Sequence, residues 1–162
     1  MPTENLDIYL RPTELADLDF LFQLQMDKEA RYLAAFMSTD STDKTAYIRK
    51  YTSLLGDSTV NNQTILYDNA IMGSIASFDM EGNREITYWI DRNYWGKGLA
   101  TKAVQQFLKS ETFRPLYGRV AVDNIGSQKV LERSGFIKIG SDKGYANARQ
   151  TVVDEFIYQL SN

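Results

Sequence analysis

The most informative stretch of the sequence is Asp91-Arg92-Asn93-Tyr94-Trp95-Gly96-Lys97-Gly98-Leu99-Ala100-Thr101. It follows a segment with strand-like alternation, turns through two glycines and enters an amphipathic helical pattern. The first amides of a helix have no partner within the helix and lie at the positive end of its dipole. Because glycine lets an anion approach that backbone closely, the stretch predicts an anion site, with further donors from Lys97 and Thr101. A tight structural turn is the alternative interpretation.

Two common phosphate-binding motifs do not fit these residues. The dinucleotide fingerprint requires a third glycine where Thr101 stands, and the surrounding elements do not follow a βαβαβ order. The nucleotide P-loop requires lysine and then serine or threonine after its last glycine, whereas Leu99 follows Gly98. The sequence therefore excludes both classes of site.

Upstream of this stretch the apolar residues alternate with a period of two, which is typical of strands. Asp68-Asn69 and Glu81-Gly82-Asn83 interrupt the alternation with residues that suit tight hairpin turns. Such short turns join antiparallel neighbours, so the sequence predicts three consecutive antiparallel strands over 63–67, 71–78 and 84–91. A further strand ends at Pro12 and contains Leu6, Ile8 and Leu10.

Two helices are predicted between the first strand and the hairpins. The first is capped by Thr13; the second is capped by Ser41 or Thr42 and ends at Gly56. Both predictions rest on apolar residues at helical spacing. These residues are Leu15, Leu18, Phe22 and Met26 in the first helix, and Tyr47, Ile48, Tyr51, Leu54 and Leu55 in the second.

After the glycine turn, helical and strand patterns alternate. A helical stripe over 99–108 precedes a strand over 116–123, and a short helix with Val130 and Leu131 ends at Gly135. Two more strands are predicted over 136–139 and 152–160. The order β-α-α-β-β-β-α-β-α-β-β predicts one α/β (α+β) domain over 1–162, with a mixed sheet and a helical crossover after strand 84–91.

The composition excludes several kinds of chemistry. The 162 residues include no cysteine and no histidine, so thiol nucleophiles, disulfides, thiolate zinc sites and Ser-His-Asp triads are excluded, and no metal is expected. Proton transfer must therefore use carboxylates, hydroxyls, lysines or water. The net charge of -3 argues against a nucleic-acid partner. The sequence has no secretory leader pattern at Met1-Pro2-Thr3-Glu4 and no long apolar run, so we expect a cytoplasmic protein without a membrane partner.

Two motifs carry a resemblance that covers nearly the whole chain. Asn93-Tyr94-Trp95-Gly96-Lys97-Gly98 resembles the pyrophosphate loop Gln/Arg-x-x-Gly-x-Gly/Ala of the GNAT superfamily of acyl-CoA N-acyltransferases, although Asn93 departs from its first residue. Asn124-x-x-Ser127, followed by Gly135-Phe136, matches a second family segment, and Leu10-Arg11-Pro12 also fits. The chain is most similar to the branch of ribosomal-protein N-terminal-alanine acetyltransferases.

The resemblance implies a mostly antiparallel sheet of about seven strands, with helices on both faces. Two parallel central strands, here 84–91 and 116–123, would splay apart around acetyl-coenzyme A (acetyl-CoA), the expected co-substrate. Asn124 would bind the pantetheine or orient its turn, and Lys129 would meet the 3′-phosphate or be a solvated helix charge. The remaining contacts are Trp89, Ile90 and Asp91 with the pantetheine, and Trp95, Gly96, Lys97, Gly98, Leu99, Ala100 and Thr101 with the pyrophosphate.

The family reaction is direct attack of a neutral amine on the thioester. Many members protonate the leaving thiolate with a tyrosine at the position of Leu131, which cannot donate a proton. In the branch that this chain resembles, a serine three positions after the asparagine is proposed for that role, here Ser127. Capping of the following helix is the structural alternative for Asn124 and Ser127. Glu85 is the candidate base, or else a solvated strand residue, with Glu81 as a substitute. A backbone amide near Trp89 or Ile90 would stabilise the oxyanion.

The acceptor is a primary amine whose identity the sequence leaves open. By analogy with the family, Arg31, Tyr32, Phe36 and a loop around Tyr145 would line its side of the cleft, although these aromatic residues also suit a core. A protein N-terminus is one acceptor; an aminoglycoside, a polyamine or an amino acid is another. A non-catalytic acyl-CoA-binding module and an unrelated phosphate binder are the rival functions, and the protein is expected to be a monomer or homodimer.

Overall fold

The computed structural model describes residues 7–162, so Leu6 of the predicted first strand and the Met1-Pro2-Thr3-Glu4 segment lie outside the described residues. The strands are β1 (Ile8–Pro12), β2 (Asn61–Tyr67), β3 (Ala70–Met80), β4 (Asn83–Ile90), β5 (Leu116–Ala121), β6 (Ile137–Ala146) and β7 (Thr151–Leu160). The helices are α1 (Leu18–Gln25), α2 (Lys28–Ala34), α3 (Lys44–Leu55), α4 (Leu99–Ser110) and α5 (Ile125–Arg133). Short 3-10 turns cover Leu15–Asp17 and Arg92–Tyr94. Within residues 7–162, no helix combines the length and apolar character that a membrane crossing needs.

The strands form one mixed sheet in the order β1-β2-β3-β4-β5-β7-β6, which confirms the predicted fold class. Strands β4 and β5 are parallel, and all other neighbours are antiparallel. The parallel pair is matched only where Arg84 lies beside Leu116 and Glu85 beside Tyr117. Past these residues β4 and β5 diverge, as the resemblance implies, and a cleft opens between them.

Tight turns join β2 to β3 and β3 to β4. Asp68 and Asn69 have φ angles of 50° and 63°, and the register brings Tyr67 opposite Ala70. Glu81 and Gly82 have φ angles of 51° and 86°. Left-handed residues at both central positions match the right-handed twist of the flanking strands. Both hairpin predictions are confirmed.

Helices cover both faces of the sheet, which is also confirmed. On one face, Ile86 and Ile90 of β4 pack in the main core with Val104 and Phe107 of α4, which are fully buried. On the other face, the indole N–H of Trp89 donates to the carbonyl of Leu24 in α1 at 3.2 Å. Because side chains alternate along a strand, neighbouring residues of β4 serve the two layers.

The predicted caps of the first two helices are wrong. The Thr13 hydroxyl lies 2.9 Å from that of Thr64, and the chain enters α1 through the 3-10 turn instead. At α3 the cap is Asp43, whose carboxylate accepts from the Ala46 amide at 3.2 Å. The Ser41 hydroxyl does not cap α3 and instead accepts a hydrogen bond from Arg31 at 2.8 Å. The predicted end of α3 at Gly56 is confirmed.

Two further elements differ from the prediction. Helix α2 has no counterpart in it because Ala30 is its only buried residue, so the sequence has no apolar stripe there. Strand β6 is longer than 136–139 and runs to Ala146 because it pairs with β7 along its length. Tyr145 therefore lies opposite Val152 in the sheet and not in a loop.

Candidate active site

The divergence of β4 and β5 produces a cleft of about 830 Å³. Its walls are residues 85–90 of β4 and 118–121 of β5, and helices α2, α3 and α5 add further residues. Trp95, Gly96 and Ala100 lie at one end of the cleft, next to the glycine turn. The cleft therefore connects the predicted anion site with the gap between the parallel strands.

The glycine turn presents a run of free amides. Gly96 and Gly98 have φ angles of 78° and 75°, and Gly98 is the residue before α4. The amides of residues 96–101 donate to no acceptor within residues 7–162. A Cβ added at either glycine would meet nothing within 4 Å, so this surface is open to a ligand. Trp95 differs from the expectation, because its amide already donates to the Arg92 carbonyl at 3.1 Å.

The backbone of β4 turns alternately toward β3 and toward the cleft. The Asp91 amide donates to the Met72 carbonyl at 2.8 Å, and the Asp91 carbonyl accepts from Tyr94. The Trp89 carbonyl faces β3, since it would lie 2.0 Å from a Cβ at Gly73. The expectation that the backbones of Trp89 and Asp91 face the cleft is therefore wrong.

Ile90 is different, because its carbonyl accepts from the indole N–H of Trp95 at 2.9 Å. By the same alternation, the backbone groups of β4 that face the cleft belong to Tyr88 and Ile90. Tyr88 and Ile90, and not Trp89 and Asp91, therefore present their backbone to the cleft.

Asn124 caps helix α5, and Ser127 lies in the first turn of that helix. The Asn124 side chain accepts from the Ser127 amide at 3.3 Å and donates to the Leu33 carbonyl at 3.4 Å, so it joins α5 to α2. The contacts of Asn124 therefore match the structural alternative, in which it caps helix α5. The Ser127 hydroxyl is not used in capping and lies 2.6 Å from the hydroxyl of Tyr88. Burial raises the pKa of Tyr88 to about 12.

Two other positions of α5 are now placed. Leu131 is 2% exposed and packs against Gly118 of β5, so a core side chain occupies the position of the usual family tyrosine. Lys129 is exposed on the helix surface. The side chain of Lys97, on the glycine turn, lies 6.0 Å from the ring of Tyr94.

Glu85 lines the cleft and is 6% exposed, although a strand residue of this kind is usually solvated. Its carboxylate lies 3.5 Å from the Arg119 guanidinium, which also bonds Glu155 at 2.8 Å. Burial raises the pKa of Glu85, and Arg119 opposes this shift. Glu81 is exposed in the β3–β4 turn and is not among the cleft residues. A buried carboxylate with a raised pKa can accept a proton near neutral pH.

Sequence reasoning missed Tyr88 and misplaced much of the acceptor side. The alternation assigned Tyr88 to the core face with Ile86, where its ring packs, but the residue also lines the cleft and its hydroxyl reaches Ser127 of α5. Phe36 lines the cleft, as expected.

Arg31, Tyr32 and Tyr145 do not line the cleft. Arg31 bonds Ser41 and Gln25, and Tyr32 stacks on Arg149 at 4.1 Å. Tyr47 and Tyr51 of α3 line the cleft instead. The helical spacing of these apolar residues predicts that one face of α3 is buried, but it does not predict that this face lines a cleft.

Comparisons with known proteins agree with this architecture. Residues 7–137 match the family model "Acetyltransferase (GNAT) domain". The chain is 29% identical to N-acetyltransferase p20 of Bacillus licheniformis, which is described as uncharacterized, over 93% of this chain and 90% of that protein.

Two solved structures share the fold. The ribosomal-protein-S5-alanine acetyltransferase from Vibrio fischeri is 19% identical, with a TM-score of 0.77 over 96% of its chain and 99% of this one. The microcin C7 self-immunity acetyltransferase MccE, solved in complex with acetyl-CoA and AMP, is 21% identical, with a TM-score of 0.78 over 93% of its chain and 96% of this one. Because the family model spans most of the sequence, the chain belongs to the GNAT family of acetyltransferases.

Proposed function

We propose that the protein transfers the acetyl group of acetyl-CoA to the α-amine of a protein N-terminus by direct attack on the thioester. The observation that carries the proposal is the gap between β4 and β5, which leads from the free amides of residues 96–101 to the buried carboxylate of Glu85. The free amides at one end of the gap suit the phosphates of an acyl-CoA thioester. The carboxylate at the other end suits an amine that must lose a proton.

The glycine turn supports a pyrophosphate at the start of α4. Residues 96–101 would supply amide donors, and Lys97 would add a positive charge. The pantetheine arm would run beside β4 as an extended strand, paired with the backbone of Tyr88 and Ile90. Asn124 would hold the turn at the start of α5, and the exposed Lys129 is the proposed partner of the 3′-phosphate.

The proposed chemistry needs two proton movements. The amine nitrogen forms a bond to the carbonyl carbon and loses its proton to Glu85, directly or through water. The carbon–sulfur bond then breaks, and the sulfur takes a proton from Ser127, which water restores. An α-amine with a pKa of about 7.7–8.0 is partly neutral at physiological pH, so a modest base is sufficient.

A small-molecule acceptor is the second candidate. Glu29, Asp40, Glu85, Asp123 and Glu155 outnumber Lys50 and Arg119 among the charged residues of the cleft. This negative balance favours any cationic amine, including a polyamine or an aminoglycoside. A reaction that consumes acetyl-CoA suits the cytoplasm, which is the location we propose, with a monomer or homodimer as the working unit.

The test follows thiol release from acetyl-CoA with a panel of amines. A peptide with a free alanine N-terminus is compared with the same peptide blocked at its α-amine, and with spermidine, kanamycin and free alanine. We expect turnover with the free peptide and none with the blocked one. Faster turnover with a small amine would show that the acceptor is a small molecule and not a protein N-terminus. A melting temperature that acetyl-CoA raises without any thiol release would indicate a non-catalytic binding module, and an equal rise with ADP a general phosphate binder.

A further inference from the structure

We propose that Tyr88 is the positioning residue for Ser127 and directs the serine proton into the cleft. This inference rests on the proposed function, in which Ser127 protonates the departing sulfur. It assigns a role to a residue of β4 that lies opposite α5 across the gap, where the two hydroxyls meet at 2.6 Å.

The contact has one productive direction. A serine hydroxyl has a single proton, and if Ser127 donated it to Tyr88 it could not donate it to a ligand in the cleft. If Tyr88 donates to the serine oxygen, the serine proton is free to point elsewhere. The other acceptor near the Tyr88 hydroxyl is the Ser127 carbonyl at 3.3 Å, which is the longer contact.

The surroundings favour Tyr88 as the donor. Its ring packs against the main core, and its hydroxyl is part-buried beside α5. Because burial raises the pKa of Tyr88 to about 12, the phenol keeps its proton throughout the neutral range. Tyr88 therefore cannot remove the proton of Ser127, and we assign it the donor role in their contact.

Ser127 needs such a partner because serine hydroxyls rotate freely. In the first turn of a helix, a serine hydroxyl readily bonds back to nearby backbone groups. Asn124 already satisfies the Ser127 amide, so the contact with Tyr88 is what fixes the hydroxyl across the gap.

During the reaction the serine oxygen gains negative charge as its proton moves to sulfur. A donor aimed at that oxygen stabilises the transition state more than the ground state and therefore raises kcat with little effect on KM. Carbon–sulfur bond breaking leaves an electron pair on sulfur, which takes the serine proton, and water reprotonates Ser127 while Tyr88 keeps its own proton.

The test is a double-mutant cycle with a matched control. We expect Ser127→Ala to lower kcat about 100-fold, in the range of general acid catalysis. Tyr88→Phe should lower kcat about ten-fold, which is the effect of one hydrogen bond, and leave the KM for acetyl-CoA within about two-fold. The double variant should match Ser127→Ala alone, because once the serine hydroxyl is gone the Tyr88 hydroxyl has nothing to position.

Tyr117→Phe is the control, since it also removes a half-buried tyrosine hydroxyl, one that accepts from Gln159 at 3.2 Å outside the cleft. Its kcat should equal that of the wild type. The rise in melting temperature with acetyl-CoA shows that each variant is folded and binds the co-substrate.

The possible failures are distinguishable. A wild-type protein that releases no thiol overturns the proposed function. Full kcat in Ser127→Ala overturns the acid role of the serine and this inference with it. A loss in Ser127→Ala with none in Tyr88→Phe, or losses that multiply in the double variant, overturns the positioning role of Tyr88 alone.

Discussion

Arg84 and Glu111 lie 3.3 Å apart at the end of the gap where β4 and β5 are still paired. Both side chains are nearly buried, and the Ser77 hydroxyl contacts each of them. Glu111 follows the last residue of α4, so the pair joins the end of the crossover helix to β4, and Ser77 adds a contact from β3. This cluster fixes the closed end of the cleft.

Arg84→Met should lower the free energy of unfolding by about 3 kcal/mol, because it leaves the buried Glu111 carboxylate without its cation. Asp79→Asn is the matched control, since Asp79 lies 3.4 Å from the same guanidinium with 60% of its side chain exposed. Its loss should be below about 0.5 kcal/mol. Urea denaturation measures both values, and equal losses would contradict the importance of burial here.

Gly98→Ala should weaken acetyl-CoA binding about ten-fold or more, because its Cβ would stand on the open surface of the free amides. Gly82→Ala provides the control, since Gly82 has a similar left-handed φ and also has nothing within 4 Å of an added Cβ. Both variants should lose about 1 kcal/mol of stability from backbone strain. Calorimetry should detect weaker binding only in Gly98→Ala; unchanged binding would exclude the glycine turn as the pyrophosphate site.

The pH dependence of kcat/KM should show Glu85 as an ionising group. Burial raises the pKa of Glu85, so the basic carboxylate forms only above the ordinary glutamate range of about 4.3. Below the pKa of the amine, kcat/KM should fall with pH because one group, the amine, must lose a proton. Below the pKa of Glu85 it should fall more steeply, because two groups must then lose a proton.

In Glu85→Gln the second proton should disappear from the profile and kcat should fall. Glu81→Gln, in the exposed turn nearby, should behave as wild type. A two-proton dependence that survives in Glu85→Gln would eliminate Glu85 as the base.

Asp17 should stabilise the fold in a pH-dependent way. Its buried carboxylate bonds Arg11 at 2.6 and 2.8 Å, Thr64 at 3.0 Å and the Glu14 amide at 2.9 Å. The Arg11 hydrogen bonds lower the pKa of Asp17 in the folded state. The stabilisation is therefore complete above the unfolded pKa of about 3.9 and is lost as the pH falls through the lower folded pKa.

Asp17→Asn should cost about 2 kcal/mol at neutral pH, because it weakens hydrogen bonds to a charged group. The difference from wild type should shrink below about pH 4. Asp19→Asn, whose exposed carboxylate lies 3.0 Å from Lys44, should cost less than about 0.5 kcal/mol at any pH. Denaturation curves at several pH values decide this; a constant difference would refute the ionic contribution of Asp17.

The sheet could be predicted from the sequence because local chemistry determines its turns. Asp68-Asn69 and Gly82 tolerate the positive φ that tight turns need, and apolar alternation indicates the strands between them. The start of α3 could not be predicted, because Ser41, Thr42 and Asp43 are all good caps. In the structure Asp43 is the cap, and Ser41 instead accepts a hydrogen bond from Arg31, a contact that the pattern of capping residues does not encode.

The parts of the site whose backbone is fixed by a local motif could be predicted from the sequence. The parts whose burial and neighbours depend on packing between distant elements could not. The glycine turn required only the residues that form it. The burial of Glu85 depends on β5 and β7, which bring Arg119 and Glu155 to it. Likewise, Tyr88 faces Ser127 only because β4 and α5 meet across the gap, and no local pattern encodes that distance.

The packing of Leu131 on Gly118 restricts how this protein can evolve. A Cβ at Gly118 would lie only 3.1 and 3.2 Å from the two methyl carbons of Leu131, and 3.5 Å from Ile86. A side chain at position 118 would therefore have to displace Leu131 or move β5, which carries one wall of the cleft. Substitution of Gly118 is costly for this reason, because the close approach of α5 to β5 depends on the missing side chain.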